Sequence, residues 1–175
     1  MQMKKLASNL INGYEVSFAK TRLSFVTFGD SVEQPLTFAD STDSQTVLTN
    51  LNDKVTRVKG DRDFDRFSEY VASDVFNPRR GSRAGVGRVL VLFTMKPSQN
   101  DIDSDNDKTR STLADRLSQL GIKLVVVGID REDEDDVTGL NAITGNPKNV
   151  IPVPSTALLM ENFGPIEKRI VNAVG

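Results

Sequence analysis

Two runs of apolar residues constrain this chain more than anything else in it. Arg88-Val89-Leu90-Val91-Leu92-Phe93-Thr94 and Lys123-Leu124-Val125-Val126-Val127-Gly128-Ile129 are almost unbroken Val, Leu, Ile and Phe. Successive side chains of a strand point to opposite faces, so a continuous apolar run needs cover on both. Such runs read as strands of a parallel sheet sandwiched between helices. Arg22–Phe28 alternates more and is ended by Gly29-Asp30, which predicts a third strand. Gln34–Phe38 predicts a weaker one, placed at an edge by Pro35. Asn149–Val153, with Pro152, predicts another near an edge.

Helical spacing fills the intervals. Leu6, Leu10 and Ile11 precede Gly13. Val47, Leu48, Leu51 and Val55 follow the Ser/Thr/Asp caps of residues 40–43. Phe64, Phe67, Val71 and Val75 run up to Asn77-Pro78, and Leu113, Leu117 and Leu120 run up to Gly121. Val137, Leu140 and Ile143 mark a short helix, and Ile166, Ile170, Val171 and Val174 the last. Strands alternating with helices imply right-handed crossovers. The expected fold is α/β: a three-layer αβα sandwich, Rossmann-like, with a mostly parallel sheet. The short loop between the strands at 22–28 and 34–38 predicts a hairpin, hence one antiparallel edge strand.

Composition removes several chemistries. The 175 residues include no His and no Cys. Imidazole-assisted nucleophiles, zinc clusters, iron–sulfur sites and disulfides are therefore excluded. The balance of 22 Lys+Arg against 24 Asp+Glu, net −2, argues against nucleic acid as the main partner. No stretch approaches the roughly 20 apolar residues of a membrane span, and none near residue 1 reaches the roughly 7–15 of a signal h-region. No glycine-rich segment opens a helix after a strand as a phosphate loop must, since Gly81, Gly85 and Gly87 precede one.

Three segments carry a family resemblance. Arg79–Thr94, an Arg-rich turn leading into an apolar strand, resembles the fourth-strand region of von Willebrand factor A domains. Arg22–Phe28 is similar to the second strand of that family. Leu120–Ile129, with its Gly-Ile start and Val-Gly-Ile end, is similar to the fifth. Their order agrees, and the resemblance covers about residues 3 to 174, so residues 1–175 read as one such domain.

The resemblance implies a divalent-cation site at the carboxyl ends of the strands. Its ligands would be an Asp-x-Ser-x-Ser segment after the first strand, a Thr before the third helix and the Asp of Thr-Asp-Gly. Oxygen ligands of this kind suit Mg²⁺ or Ca²⁺. Here the first strand and its motif are missing, because residue 1 already enters the first helix. The Thr position falls near Gly60-Asp61-Arg62-Asp63, on Asp61. Thr94 is kept, but Met95 and Lys96 follow it. Methionine cannot replace a carboxylate for a hard cation and lysine adds repulsion. The motif is degenerate, and no metal or cofactor is expected.

In the family the first strand lies between the second and fourth. Without it they stand two spacings apart, about 9–10 Å, and leave unpaired backbone groups. Three readings are open. The domain is truncated at the N-terminus, the preferred one; a partner chain supplies the strand; or the second strand pairs directly with the fourth.

Other clusters are weaker. Asp101, Asp103, Asp105 and Asp107 alternate as in a calcium loop, but Asn106 and Thr112 stand where Gly and Glu are needed. They remain a weak Ca²⁺ candidate against a solvated, helix-capping loop. The run 131–136 reads as an acidic helix start. Arg79, Arg80, Arg83 and Arg88 form a candidate patch for an acidic partner or sulfated glycan. With no convergent acid–base or nucleophile set, no enzyme is expected.

The resemblance implies a non-catalytic, metal-independent protein-binding module of an extracellular-matrix or cell-adhesion protein. It would be secreted as part of a longer chain, with collagen or another matrix protein as partner. The expected contact face is the carboxyl-end edge: Asp30, Asp61, Asp63, Thr94, Met95 and Lys96. The alternatives are a structural module that self-associates by strand addition and an intracellular accessory domain of an ATPase-type complex.

Overall fold

The computed structural model describes residues 2–56, 60, 64–95, 114–129 and 150–175. The chain divides into two compact units, residues 3–86 and 87–175.

The first unit is built on a hairpin. Strand β1 (Phe25–Phe28) pairs antiparallel with β2 (Val32–Leu36), as Phe25 with Leu36, Thr27 with Glu33 and Phe28 with Val32. Both strands differ from the expected bounds for local reasons. Residues 22–24 fall outside the ladder because buried Ser41 captures Leu23. Its hydroxyl accepts from the Leu23 N–H at 2.8 Å and donates to the Leu23 carbonyl at 2.7 Å. Strand β2 ends at Leu36 because the Asp40 carboxylate accepts from the Thr37 N–H at 2.7 Å, folding 38–40 into a single 3-10 turn.

Helices α1 (Gln2–Gly13), α2 (Ser44–Lys54) and α3 (Phe64–Tyr70) belong to this unit. Helix α2 starts on Asp43, which accepts from the Thr46 N–H at 2.9 Å. That bond, with the Thr46 and Thr42 hydroxyls, holds the Asp43 carboxyl below its ordinary value. Helix α3 runs on into a wider π turn (Val71–Val75), whose Val71 and Val75 are buried. The core gathers Ile11, Val16, Leu36, Val47, Leu51 and Val55. Complete burial of a residue such as Leu51 contributes about 1.5–3 kcal/mol.

The second unit holds the predicted parallel sheet. Strand β3 (Arg88–Met95) pairs with β4 (Ile122–Ile129) over eight residues, from Arg88 with Ile122 to Met95 with Ile129. Strand β5 (Val150–Val153) follows in parallel on the other side of β4, from Val126 with Val150 to Ile129 with Val153. Pro152 therefore sits on a strand that is terminal among the described residues, where its missing N–H is tolerated. Helix α4 (residues 114–119) buries Leu117, and α5 (Phe163–Val174) buries Ile166 and Ile170 while packing on β3 and β4.

Three expectations change. Only β4 is covered along nearly its whole length; Val89, Leu90, Val91 and Phe93 of β3 are half-buried. The reason is position: β4 has a strand on each side, whereas β3 ends the order β3-β4-β5 among the described residues. Leu120 is 40% exposed, because the chain leaves α4 there and turns through Gly121. Val171 and Val174 are also exposed, since Ile166 and Ile170 already fill the buried stripe of α5. Among the described residues β1 pairs only with β2, so direct pairing of the 22–28 strand with the 88–94 strand is not found. The expected helix at 137–143 lies outside the described residues.

Candidate ligand-binding face

In the first unit the candidate face begins where β1 stops. Gly29 and Ser31 close a tight loop through an N–H to carbonyl bond of 2.9 Å, which leaves Asp30 exposed at its tip. Two contacts hold this loop to α3. The Phe28 ring stacks on Phe67, with centroids 4.3 Å apart, and Arg66 Nη1 donates to the Asp30 carbonyl at 3.2 Å. An aromatic pair of this kind adds about 0.5–1.5 kcal/mol beyond its area burial.

The Asp30 carboxylate lies against Gly60. Gly60 has φ of +91°, and a methyl group there would coincide with the carboxylate. Glycine is needed twice over, for the left-handed backbone and for the space. The structure thus brings Asp30 and Gly60 together. Asp61 and Asp63 lie outside the described residues.

Thr94 belongs to the second unit, near the end of β3 in register with Gly128. It is only 4% exposed, so its hydroxyl is not an open ligand position. Met95 closes the strand opposite Ile129. Lys96 and the acidic positions Asp101, Asp103, Asp105 and Asp107 lie outside the described residues. Among the described residues no group of three or more acidic side chains converges to hold a metal ion. A buried threonine followed by methionine does not fit the hard-cation chemistry of the family's motif.

The four arginines separate in role. Arg80 is built into its own unit. Nη1 donates to Gln34 Oε1 at 2.8 Å and to the Tyr70 hydroxyl at 3.1 Å, and Nη2 reaches Asp74 Oδ1 at 3.3 Å. Arg88 donates to the Leu120 carbonyl, tying the start of β3 to the turn before β4. Arg83 donates to the carbonyls of Phe18, Ala19 and Lys20, at 3.3 and 2.9 Å for the first two. Arg79 is exposed. Spacing in the sequence could not separate these roles, because every partner except Tyr70 and Asp74 is distant in the chain. Gly60, Arg66 and Arg22 carried no signal of their own.

The von Willebrand factor type A domain family matches residues 1–164. No curated protein sequence matches the chain. Among solved structures, the fold is similar to proximal thread matrix protein 1 from the mussel byssus, with a TM-score of 0.80 and 15% identity. That match covers 96% of this chain and 41% of the mussel protein, so the chain spans about two fifths of that length. A second structure of the mussel protein, with a zinc-occupied MIDAS motif, matches with a TM-score of 0.78 at 14% identity, covering 96% and 42%. The manganese-loaded TRAP protein of Plasmodium vivax is similar with a TM-score of 0.66 and 16% identity, covering 94% of this chain and 65% of that one. A parallel sheet, an antiparallel pair and a family match over residues 1–164 agree: the chain belongs to the von Willebrand factor type A domain family.

Proposed function

We propose that this chain is a non-catalytic protein-binding module of an extracellular-matrix or adhesion protein, and that it binds without a divalent cation. The observation that carries the reading is the Asp30 loop. The loop is held to α3 by the Phe28–Phe67 stack and by Arg66 on the Asp30 carbonyl, and the absence of a side chain at Gly60 leaves room for the exposed Asp30 carboxylate at its tip. A charged group presented by a stiff loop loses little entropy on binding and suits recognition of a basic protein surface. Asp61 and Asp63, which follow Gly60 in the chain, are proposed for the same face; Met95 and Lys96 of the second unit are separate candidates, and buried Thr94 is left out. A mussel matrix protein among the structural neighbours supports the matrix setting and an extracellular location. Collagen is the first partner to test.

Surface plasmon resonance against a panel of immobilised matrix proteins tests the face. Asp30→Lys is expected to weaken binding at least about tenfold, as reversal of a charge in contact should. Unchanged binding by a folded Asp30→Lys variant would overturn the assignment.

One observation favours a second reading, assembly through strand addition. Strand β3 is eight residues long, carries no charge after Arg88 and is terminal in its ladder among the described residues. Long uncharged terminal strands invite pairing with another chain. Light scattering decides: a monomer at all concentrations removes this reading.

A further inference from the structure

We propose a second docking site in the first unit, on the turn 18–22 with Arg83, for an acidic peptide segment that carries an apolar residue beside its carboxylates.

The turn is organised around one carbonyl. Arg22 donates to the Phe18 carbonyl through Nε at 3.0 Å and Nη2 at 2.7 Å, and through Nη1 to the Gly81 carbonyl at 2.7 Å. Arg83 Nη1 reaches the same Phe18 carbonyl at 3.3 Å. Two guanidiniums thus converge on one neutral oxygen. Among the described residues neither meets a carboxylate, so no negative charge there compensates either guanidinium.

Lys20 adds a third charge to the same turn. Its partner is Glu15 at 4.0 Å, with both side chains mostly in water. An exposed pair at that distance contributes between about 0 and 1 kcal/mol and neutralises little. Asp43 bridges Ser17 through its backbone, but its carboxylate is taken up by Thr46 and Thr42 at the start of α2. The local balance is cationic in a chain whose net charge is −2.

Donor capacity remains. A guanidinium has five N–H donors. Arg22 uses Nε and one bond from each terminal nitrogen, and Arg83 bonds only through its terminal nitrogens. The free N–H groups suit a planar carboxylate. The turn is also preordered, by Thr21 N–H to Glu15 carbonyl at 3.1 Å, Ser17 N–H to Thr21 carbonyl at 3.2 Å and Lys20 N–H to Ser17 Oγ at 3.2 Å.

Phe18 decides between classes of polyanion. The residue is 48% exposed, with the Arg22 guanidinium 5.2 Å from its ring centroid. A sulfated glycan gains little from an exposed phenyl ring. A peptide with Leu or Phe beside Asp or Glu gains both an apolar contact and charge pairing.

Fluorescence anisotropy with a labelled peptide of alternating Asp and Leu tests the site, beside a Lys-Leu peptide and a sulfated oligosaccharide. The expected result is saturable binding of the Asp-Leu peptide, weakening steeply with salt, and none of the Lys-Leu peptide. Lys20→Glu should weaken binding at least about tenfold. Phe18→Ser should weaken the peptide several-fold and leave the oligosaccharide unaffected. Both residues are exposed, so the variants should fold; an unchanged melting temperature checks this. Asp30→Lys should leave this binding intact, which separates the site from the carboxyl-end face. Absence of peptide binding, or binding indifferent to Lys20→Glu and Phe18→Ser, overturns the proposal. Preference for the oligosaccharide with no effect of Phe18→Ser overturns the peptide assignment.

Discussion

The hairpin of residues 25–36 and the parallel sheet of residues 88–153 satisfy their backbone groups in different ways. In the sheet, β4 lies between two strands, and its hydrogen bonds are made backbone to backbone under apolar side chains. Around the hairpin, side chains take over. Ser41 closes on Leu23, Asp40 on Thr37, Ser24 on the Leu36 carbonyl at 2.7 Å, and Arg22 on the carbonyls of Phe18 and Gly81. A region held by apolar burial should fail when a charge enters it. A region held by polar clasps should fail when a single atom leaves it.

The largest expected effect breaks the sheet. Val126 is fully buried and pairs with both neighbours of β4, Leu92 and Val150. Val126→Asp buries an unpaired carboxylate and should cost more than about 4 kcal/mol, a large share of a domain's total stability. Circular dichroism should show an unfolded chain at room temperature; a native spectrum would break the contrast.

Gly81→Ala should come next. Gly81 has φ of +86°, and a methyl group there would press on the backbone of Ala39 and on the Phe38 carbonyl carbon, 2.7 Å away. Backbone cannot swing aside as a side chain can. The strained φ and the clash together should cost about 2–4 kcal/mol in urea denaturation.

Ser41→Ala removes one oxygen and leaves the Leu23 N–H and carbonyl without it. The expected loss is about 1–3 kcal/mol, the penalty for unsatisfied buried groups. A loss under a few tenths would mean that water replaces the hydroxyl, and would weaken the clasp account.

The smallest effect depends on pH. Asp43 has a lowered pKa because Thr46 and Thr42 donate to its ionised form. Its contribution is therefore fully present above the ordinary carboxylate pKa and is lost as pH falls through the lowered one. Asp43→Asn should be less stable than the parent at neutral pH, and the gap should close in strong acid. A constant gap across the titration would mean that charge plays no part in the cap.

This contrast also explains what could be read from sequence. The runs at 88–94 and 123–129 announced parallel strands because unbroken apolar character has few other uses. Pro35 and Pro152 marked terminal strands because they lack an N–H. The shifted hairpin bounds were hidden, because Ser41 reaches Leu23 across 18 positions and leaves no periodic trace. Asp30 could be named from its place after a strand, but its dependence on Gly60 and Arg66 needed coordinates. The arginines show the opposite failure: a cluster in sequence divides among different hydrogen-bond partners, and Arg22, which shares an oxygen with Arg83, reads in the sequence only as the start of a strand.

Binding of the intact chain to fibrillar collagen, measured in Mg²⁺ and again in excess EDTA, tests the proposed function most directly. The account predicts equal affinity in both and loss of binding by Asp30→Lys. Binding that disappears in EDTA and returns with Mg²⁺ would contradict it.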